Sequence, residues 1–462
     1  MRRGAVSSLI IPFWASVLLA QQPVRSHAQS NDLASYERVL ASAYAADAPG
    51  AVALVAKGGE VVYRGAAGLA NLELGVPLEP DMVFEIGSIT KQFTAAAIMM
   101  LVDEGRLSVD DPLSKFLPGY PNGENITVEH LLTHTSGIVS YTDIPEVMET
   151  QARNDRSVEE IMDWFRDRPA VFHPGERWAY NNSGYVLLGA IIEELSGVSY
   201  AEFLQDRIFT PLEMENSYYG SQTELIPRRA SGYGRDADGY VNAEYLSMTL
   251  PYAAGALMSN VDDLYMWNRA LHGGEVMSAE SYQRMITPFV LNDGQATDYA
   301  FGLVIGAVRG HRAIRHGGGI FGYVTSAIYL PDDDAFVAVF SNNPASDVGP
   351  GFVATKLAAI ALGDPFREFT EVTVDESVLQ RYAGVYRIDE GAQRTVTVEG
   401  GALYTQRDGG AKLRAFPASE TEFFYKQSLS YFEFEIQEGK VTAMLMHQNG
   451  AREAERAAKV SE

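Results

Sequence analysis

"FEIGSITKQF", residues 84–93, sets Ser88 and Lys91 three positions apart, behind a glycine and ahead of the apolar run "AAAIMML". The longer stretch "SITKQFTAAAIMMLVDEG" is apolar on nearly every side, which predicts a buried helix closed by Gly105 at its C-terminal cap. Residues i and i+3 share a helix face, so Ser88 and Lys91 can approach each other near the positive end of the helix dipole. A serine hydroxyl is a weak nucleophile until a base takes its proton. A lysine serves as that base only where burial or positive potential lowers its pKa from about 10.4. The other reading is a capping serine beside a lysine that reaches solvent, and Ser-x-x-Lys alone leaves both open.

Working outward, "GAVALVAKGGEVVYRGAAGLA" (50–70) alternates as a strand, a Gly-Gly turn and a second strand, preceded by a helical pattern from about Leu33. Residues 115–290 are mostly helical segments broken by Gly or Pro, such as "SVEEIMDWFRD" and "YVLLGAIIEELSG". Strand-like runs return in "DYAFGLVIGAV", "HRAIRHGGG", "YVTSAIYLP" and "AFVAVFSNN", followed by a helical "GFVATKLAAIALG". Strands at both ends with helices between predict one sheet assembled from distant parts of the chain. A linker is expected over 364–381. From 382 to 459 short alternating runs such as "YFEFEI", separated by turns such as "RDGGAK", predict an all-β domain, a small barrel or a sandwich. In "YFEFEI", Phe432, Phe434 and Ile436 fall on one face, that of a half-buried strand.

The 462 residues, 46% hydrophobic and 21% charged, suffice for a large core and more than one domain. Residues 1–28 read as an export signal: two arginines, a short apolar run containing Pro12, then "SHA", a cleavage pattern before Gln29. An exported protein, periplasmic or secreted and with no stable membrane anchor, is expected. The chain has no cysteine, which excludes a thiol nucleophile, disulfides and cysteine metal sites. A formal net charge of -24 repels phosphates and anionic lipid, so no nucleic-acid partner is expected.

Two further stretches bear on Ser88. "ERWAYNNSGYVLLG" places Tyr180 and Asn182 as Tyr-x-Asn just before a helix, and "IRHGGGIFGYVTSAIYL" places His316 and Gly318 as His-x-Gly between strand-like runs. The ordered set Ser-x-x-Lys, Tyr-x-Asn and Lys/His-x-Gly resembles the penicillin-recognising serine hydrolases, the group of class C β-lactamases, DD-peptidases, D-aminopeptidases and related esterases. "LLTHTSGI" (131–138), "PGERWAYNNSGYVLLG" (174–189) and "AAGALMSNVDDLYMW" (253–267) resemble the same group, over roughly 33–363.

The resemblance implies an α/β (α+β) β-lactamase/transpeptidase-like fold, an antiparallel sheet flanked by helices with an all-helical region. It implies a small-molecule or peptide substrate, no cofactor and no metal, and leaves oligomeric state open. Ser88 would attack a carbonyl, and Lys91 and Tyr180 would pass its proton to the leaving group, either of them being the base. Asn182 would bond the substrate amide, and the amides of Ser88 and Gly319 would form the oxyanion hole. His316 stands where many β-lactamases carry lysine. It implies a weaker, pH-dependent carboxylate anchor, lost as pH rises through neutrality. That shifts the expected activity from efficient β-lactam hydrolysis to a peptidase first, a carboxylesterase second and a weak β-lactamase third. A catalytically idle peptidoglycan- or penicillin-binding module is the non-enzyme alternative. The β domain would shape the cleft or the oligomer, or would serve as a stabilising appendage.

Other signals carry less. "GGGIFG" (317–322) has the letters of a dinucleotide loop but precedes a strand rather than a helix, so its glycines read as close backbone approach. His130 and His134 have zinc-ligand spacing without the glutamate of H-E-x-x-H, which favours a structural role with His134 holding its turn. No G-x-S-x-G elbow occurs. Among the aromatics near the motifs, Phe321 and Tyr323 are candidates to line the cleft.

Overall fold

The computed structural model describes Met1 and residues 27–461. The expected export signal lies outside the described residues apart from its ends. At the centre is a six-stranded antiparallel sheet: β1 (Ala51–Lys57), β2 (Glu60–Ala67), β3 (Val304–Val308), β4 (His311–Ile320), β5 (Tyr323–Leu330) and β6 (Ala335–Ser341). The spatial order is β3-β4-β5-β6-β1-β2. The hairpin at the start of the chain therefore pairs through β1 with β6, Leu54 opposite Ala338, as a sheet drawn from distant segments requires.

Five longer helices organise the rest: α1 (His27–Ala43), α2 (Thr90–Asp103), α3 (Asn182–Ser196), α4 (Val261–Gly273) and α5 (Pro350–Ala361). Because side chains alternate along a strand, β1 serves two cores. Val52, Leu54 and Ala56 pack toward α2, whereas Ala51, Ala53 and Val55 pack toward α1 and α5. Both faces are covered, so β1 and β6 read as nearly continuous apolar runs. Within the larger core Phe93 of α2 stacks on Trp267 of α4 at 4.2 Å between ring centroids. The indole N–H donates to Gln92 Oε1 at 3.1 Å. Burial of each such ring contributes about 1.5–3 kcal/mol. Among the described residues no helix is long and apolar enough to cross a membrane.

The C-terminal domain is a closed antiparallel barrel of eight strands, β7 (Gly384–Arg387), β8 (Gln393–Glu399), β9 (Ala402–Arg407), β10 (Leu413–Pro417), β11 (Glu422–Phe424), β12 (Tyr431–Gln437), β13 (Lys440–His447) and β14 (Glu455–Ser461), with β14 pairing back onto β7. Phe432 and Phe434 of β12 are buried in it, Phe434 stacked on Tyr382 at 4.1 Å. Part of the stretch 364–381, expected as a linker, packs against the barrel. Val374, Val378 and Leu379 already pack into the barrel core, the last two from the short helix Glu376–Gln380. Charged neighbours in "REFTEVTVDES" mask that apolar set in the sequence.

An ionic clamp joins the two domains. The Arg309 guanidinium donates to both carboxylate oxygens of Asp364, at 2.8 and 2.9 Å, and to the Gly450 carbonyl at 2.7 Å. Arg452 pairs with the same carboxylate at 2.8 Å. A cavity of about 950 Å³ lies between the barrel face at Phe416 and Phe424 and the side of the sheet covered by α1 and α5.

Candidate active site

Ser88 sits in a 3-10 turn, Gly87–Ile89, which runs directly into α2. In a 3-10 turn residues i and i+3 eclipse, so the Lys91 amine comes to 3.0 Å from Ser88 Oγ. The turn starts at Gly87, whose φ of 51° lies in the left-handed region. A Cβ there would also stand 2.9 Å from the Gly319 amide nitrogen of β4. Only glycine meets both conditions.

Lys91 is fully buried. In addition to its contact with Ser88 Oγ, the amine has two acceptors, Asn182 Oδ1 at 2.8 Å and the Ala254 carbonyl at 2.7 Å. It lies 4.8 Å from the Tyr180 ring centre. Among the described residues no carboxylate pairs with it, and burial pushes its pKa well below the ordinary lysine value.

Tyr180 and Asn182 are set by the entry to α3. Asn181 caps that helix, its Oδ1 accepting from the Gly184 amide at 2.8 Å, and its own amide donates to His134 Nδ1 at 3.1 Å. His134 is buried at a φ of 62°, its carbonyl takes the Ala179 amide, and its ring lies 4.3 Å from that of Tyr180. It holds the turn that presents Tyr180. The Asn182 side chain gives Oδ1 to Lys91 and donates from Nδ2 to Thr142 Oγ1 at 3.1 Å, which leaves its second N–H for a ligand. Burial pushes the Tyr180 phenol above its ordinary pKa, an effect that its interaction with Ser88 offsets only in part, so the phenol stays protonated at neutral pH.

On β4, Gly318 lies against the 84–88 segment: a Cβ on it would fall 1.9 Å from the Ile86 carbonyl oxygen. At Gly319 a Cβ would meet nothing within 4 Å. β4 and β5 are joined by the two-residue turn Phe321–Gly322, with Ile320 opposite Tyr323 and Gly318 opposite Thr325. Hydrogen-bonded pairs alternate from that turn, which puts the Gly319 amide on the free edge of β4, on the side of Gly87. β3 leaves this edge uncovered beyond Arg315.

His316 departs from the sequence expectation. It is 5% exposed, its Nδ1 lies 2.6 Å from the Gly317 carbonyl oxygen and its Nε2 lies 2.9 Å from the Tyr299 hydroxyl. Burial above all lowers its pKa to about 4. The ring is neutral at neutral pH, Nδ1–H donating and Nε2 accepting, so it offers no cation to a substrate carboxylate.

The cleft over Ser88 holds about 280 Å³ and is mainly apolar, with Tyr141, Met148, Leu246, Leu250, Ile320 and Phe321 in its walls. Phe321 lines it, as its position beside the third motif suggests. Tyr323 is buried, and its hydroxyl donates to the Ala230 carbonyl at 2.7 Å. Among the described residues, none from the barrel contributes to this cleft. Among the described residues no group of three or more His, Asp or Glu side chains is placed to hold a metal ion. Sequence reading missed the Ala254 carbonyl, Thr142 and Tyr299. "AAGALMS" carries Ala254, but a backbone acceptor leaves no mark in side-chain chemistry.

Comparison with known proteins places this geometry. A family model described as Beta-lactamase matches residues 36–361, and one described as a domain of unknown function (DUF3471) matches 370–459. Penicillin-binding protein 4* of Bacillus subtilis is 31% identical, over 87% of this chain and 93% of the relative. The solved structure of an octameric penicillin-binding protein homologue from Pyrococcus abyssi aligns with a TM-score of 0.63 at 31% identity, over 93% of this chain and 98% of that one. A D-stereospecific amidohydrolase from Streptomyces aligns with a TM-score of 0.60 at 28% identity, over 68% and 95%. With Ser88 and Lys91 at the head of α2 and the matched region reaching from α1 to α5, this chain belongs to the beta-lactamase family.

Proposed function

We propose that the protein is an exported serine hydrolase that cleaves an amide bond through an acyl intermediate on Ser88. The observation that carries this reading is the Lys91 amine, sealed from water without a carboxylate partner and 3.0 Å from Ser88 Oγ. A neutral amine has two N–H groups and one lone pair. Asn182 Oδ1 and the Ala254 carbonyl take the two N–H groups, so the lone pair faces the Ser88 hydroxyl. Lys91 is then the base for acylation, and Tyr180, still protonated, relays the proton to the leaving nitrogen. The Ser88 and Gly319 amides bind the developing oxyanion, a contribution of about 3 kcal/mol per donor in comparable sites. The free N–H of Asn182 donates to the carbonyl of the substrate's acyl portion, and water releases the acyl group.

Amide cleavage is supported by the relationship to a D-stereospecific amidohydrolase. The neutral state of His316 argues against efficient binding of a β-lactam carboxylate there. The apolar cleft favours a second reading, a carboxylesterase with a neutral acyl group. Export is supported by the arginines and apolar run of residues 1–28. N-terminal sequencing of the protein from the periplasm or medium should give Gln29.

A fluorophosphonate probe should label the wild type and leave Ser88→Ala unlabelled. An unreactive wild type would favour an idle binding module. D-amino-acid peptides, short p-nitrophenyl esters and a chromogenic cephalosporin, assayed side by side, separate the enzyme readings. A cephalosporin preferred by orders of magnitude in kcat/KM would overturn the assignment.

A further inference from the structure

Beyond Phe321 and Leu246, which form a shared wall, the Ser88 cleft adjoins a second compartment of about 360 Å³. Its chemistry is unlike that of the cleft. Glu85 lies on its wall only 3% exposed, three residues before the nucleophile. Its Oε1 accepts from Arg229 at 2.7 Å and from Gln222 at 3.4 Å, whereas Oε2 accepts no hydrogen bond among the described residues. The Arg229 donors are engaged elsewhere as well, on Gln222 Oε1 at 3.0 Å and on the Ser221 carbonyl at 3.2 Å. Asn242, also in the lining, spends an N–H on Glu73 at 2.8 Å, and its own oxygen accepts no hydrogen bond among the described residues. The compartment thus has spare acceptors, one of them on a carboxylate withdrawn from water. A carboxylate oxygen without a hydrogen bond takes a charged donor as its strongest complement.

The position of the compartment says which part of a substrate it meets. Tyr180, the proton donor to the leaving group, stands on the His316 side of Ser88, with ring centroids 6.5 Å apart. Along β4 the chain then passes Gly319, the oxyanion donor, before it reaches Phe321. The acyl portion therefore runs away from Tyr180, along the apolar cleft and toward Glu85. We infer that this compartment binds a primary ammonium at the end of the substrate's acyl chain, with Glu85 Oε2 and Asn242 Oδ1 as its acceptors. The inference rests on the acyl-enzyme reading of Ser88 and names the acyl group it prefers: an aliphatic chain ending in an amine.

The test compares p-nitrophenyl esters of ω-amino acids of four to eight carbons with isosteres that carry a methyl group in place of the ammonium. The wild type should favour the amino ester at the best length by tenfold or more in kcat/KM. Glu85→Gln should bring that ratio close to one. Asn242→Lys, at an exposed position where folding is not at stake, should lower it by placing a like charge at the mouth. Independently of turnover, ligand-observed NMR on Ser88→Ala should show binding of 6-aminohexanamide in preference to heptanamide. Equal turnover and equal binding of amine and isostere in the wild-type compartment would overturn the inference. A protein that reacts with neither the esters nor the fluorophosphonate but still selects the amine in the NMR assay would overturn the acylation reading alone.

Discussion

An amine withdrawn from water and given no counter-charge keeps its lone pair at a pH where an exposed lysine is a cation. The acylation rate should therefore climb with pH through the depressed pKa of Lys91, and Lys91→Met should lose acylation by roughly 10³-fold or more. Stability carries the same signature. From the folded-state pKa up to the ordinary value of 10.5, the unfolded chain holds a proton that the folded chain lacks. Wild-type stability rises with pH across that window, and the difference in Tm between wild type and Lys91→Met should shift in favour of wild type as pH is raised. His316 gives a second slope at lower pH. Its pKa falls from 6.5 unfolded to about 4 folded, so stability is lost as pH drops between those values, by up to about 3 kcal/mol. Denaturant titrations from pH 7 to 4 should show a shallower loss for His316→Gln. Ser88, Lys91, Tyr180 and Asn182 were legible as letters because their chemistry is in their side chains. The state of His316 was not, since its neutrality depends on burial and on Tyr299, which sequence alone does not bring to its side.

At the scale of elements, the site is a contact between the turn ahead of α2 and the free edge of β4. Gly318 and Gly319 look alike in sequence but face different surroundings. Gly318→Ala drives a methyl into the Ile86 carbonyl and should destabilise the protein by roughly 2–4 kcal/mol, with loss of fluorophosphonate labelling. Gly319→Ala, whose methyl enters open space, should fold with a Tm near that of wild type. Thermal unfolding of the two variants checks this contrast. The helix of Ser88, the hairpin of β1 and β2 and the strand carrying His316 follow from periodicity, because each is long and strongly patterned. The 3-10 turn under Ser88 and the packing of Val374 into the barrel do not, because both depend on partners distant in sequence.

For the whole molecule, the cleft draws none of its described residues from the barrel, which meets the opposite side of the sheet beside α1 and α5. Breaking the clamp with Arg309→Ala should cost about 1–3 kcal/mol of stability, the pair being only partly exposed, and should leave kcat/KM for a small neutral ester unchanged. A Tm shift without a kinetic one is the expected result.

The split sheet also sets a timetable for synthesis. β1 is an apolar strand whose partner β6 begins 284 residues after it, at Ala335 against Ala51. At about 5–20 residues per second, the first hairpin waits roughly 14–57 seconds for the strand that covers its edge. Throughout that interval the nascent chain displays an unpaired apolar edge. Production of the protein is therefore sensitive to whatever shields such edges at the ribosome, independently of how stable the finished fold becomes.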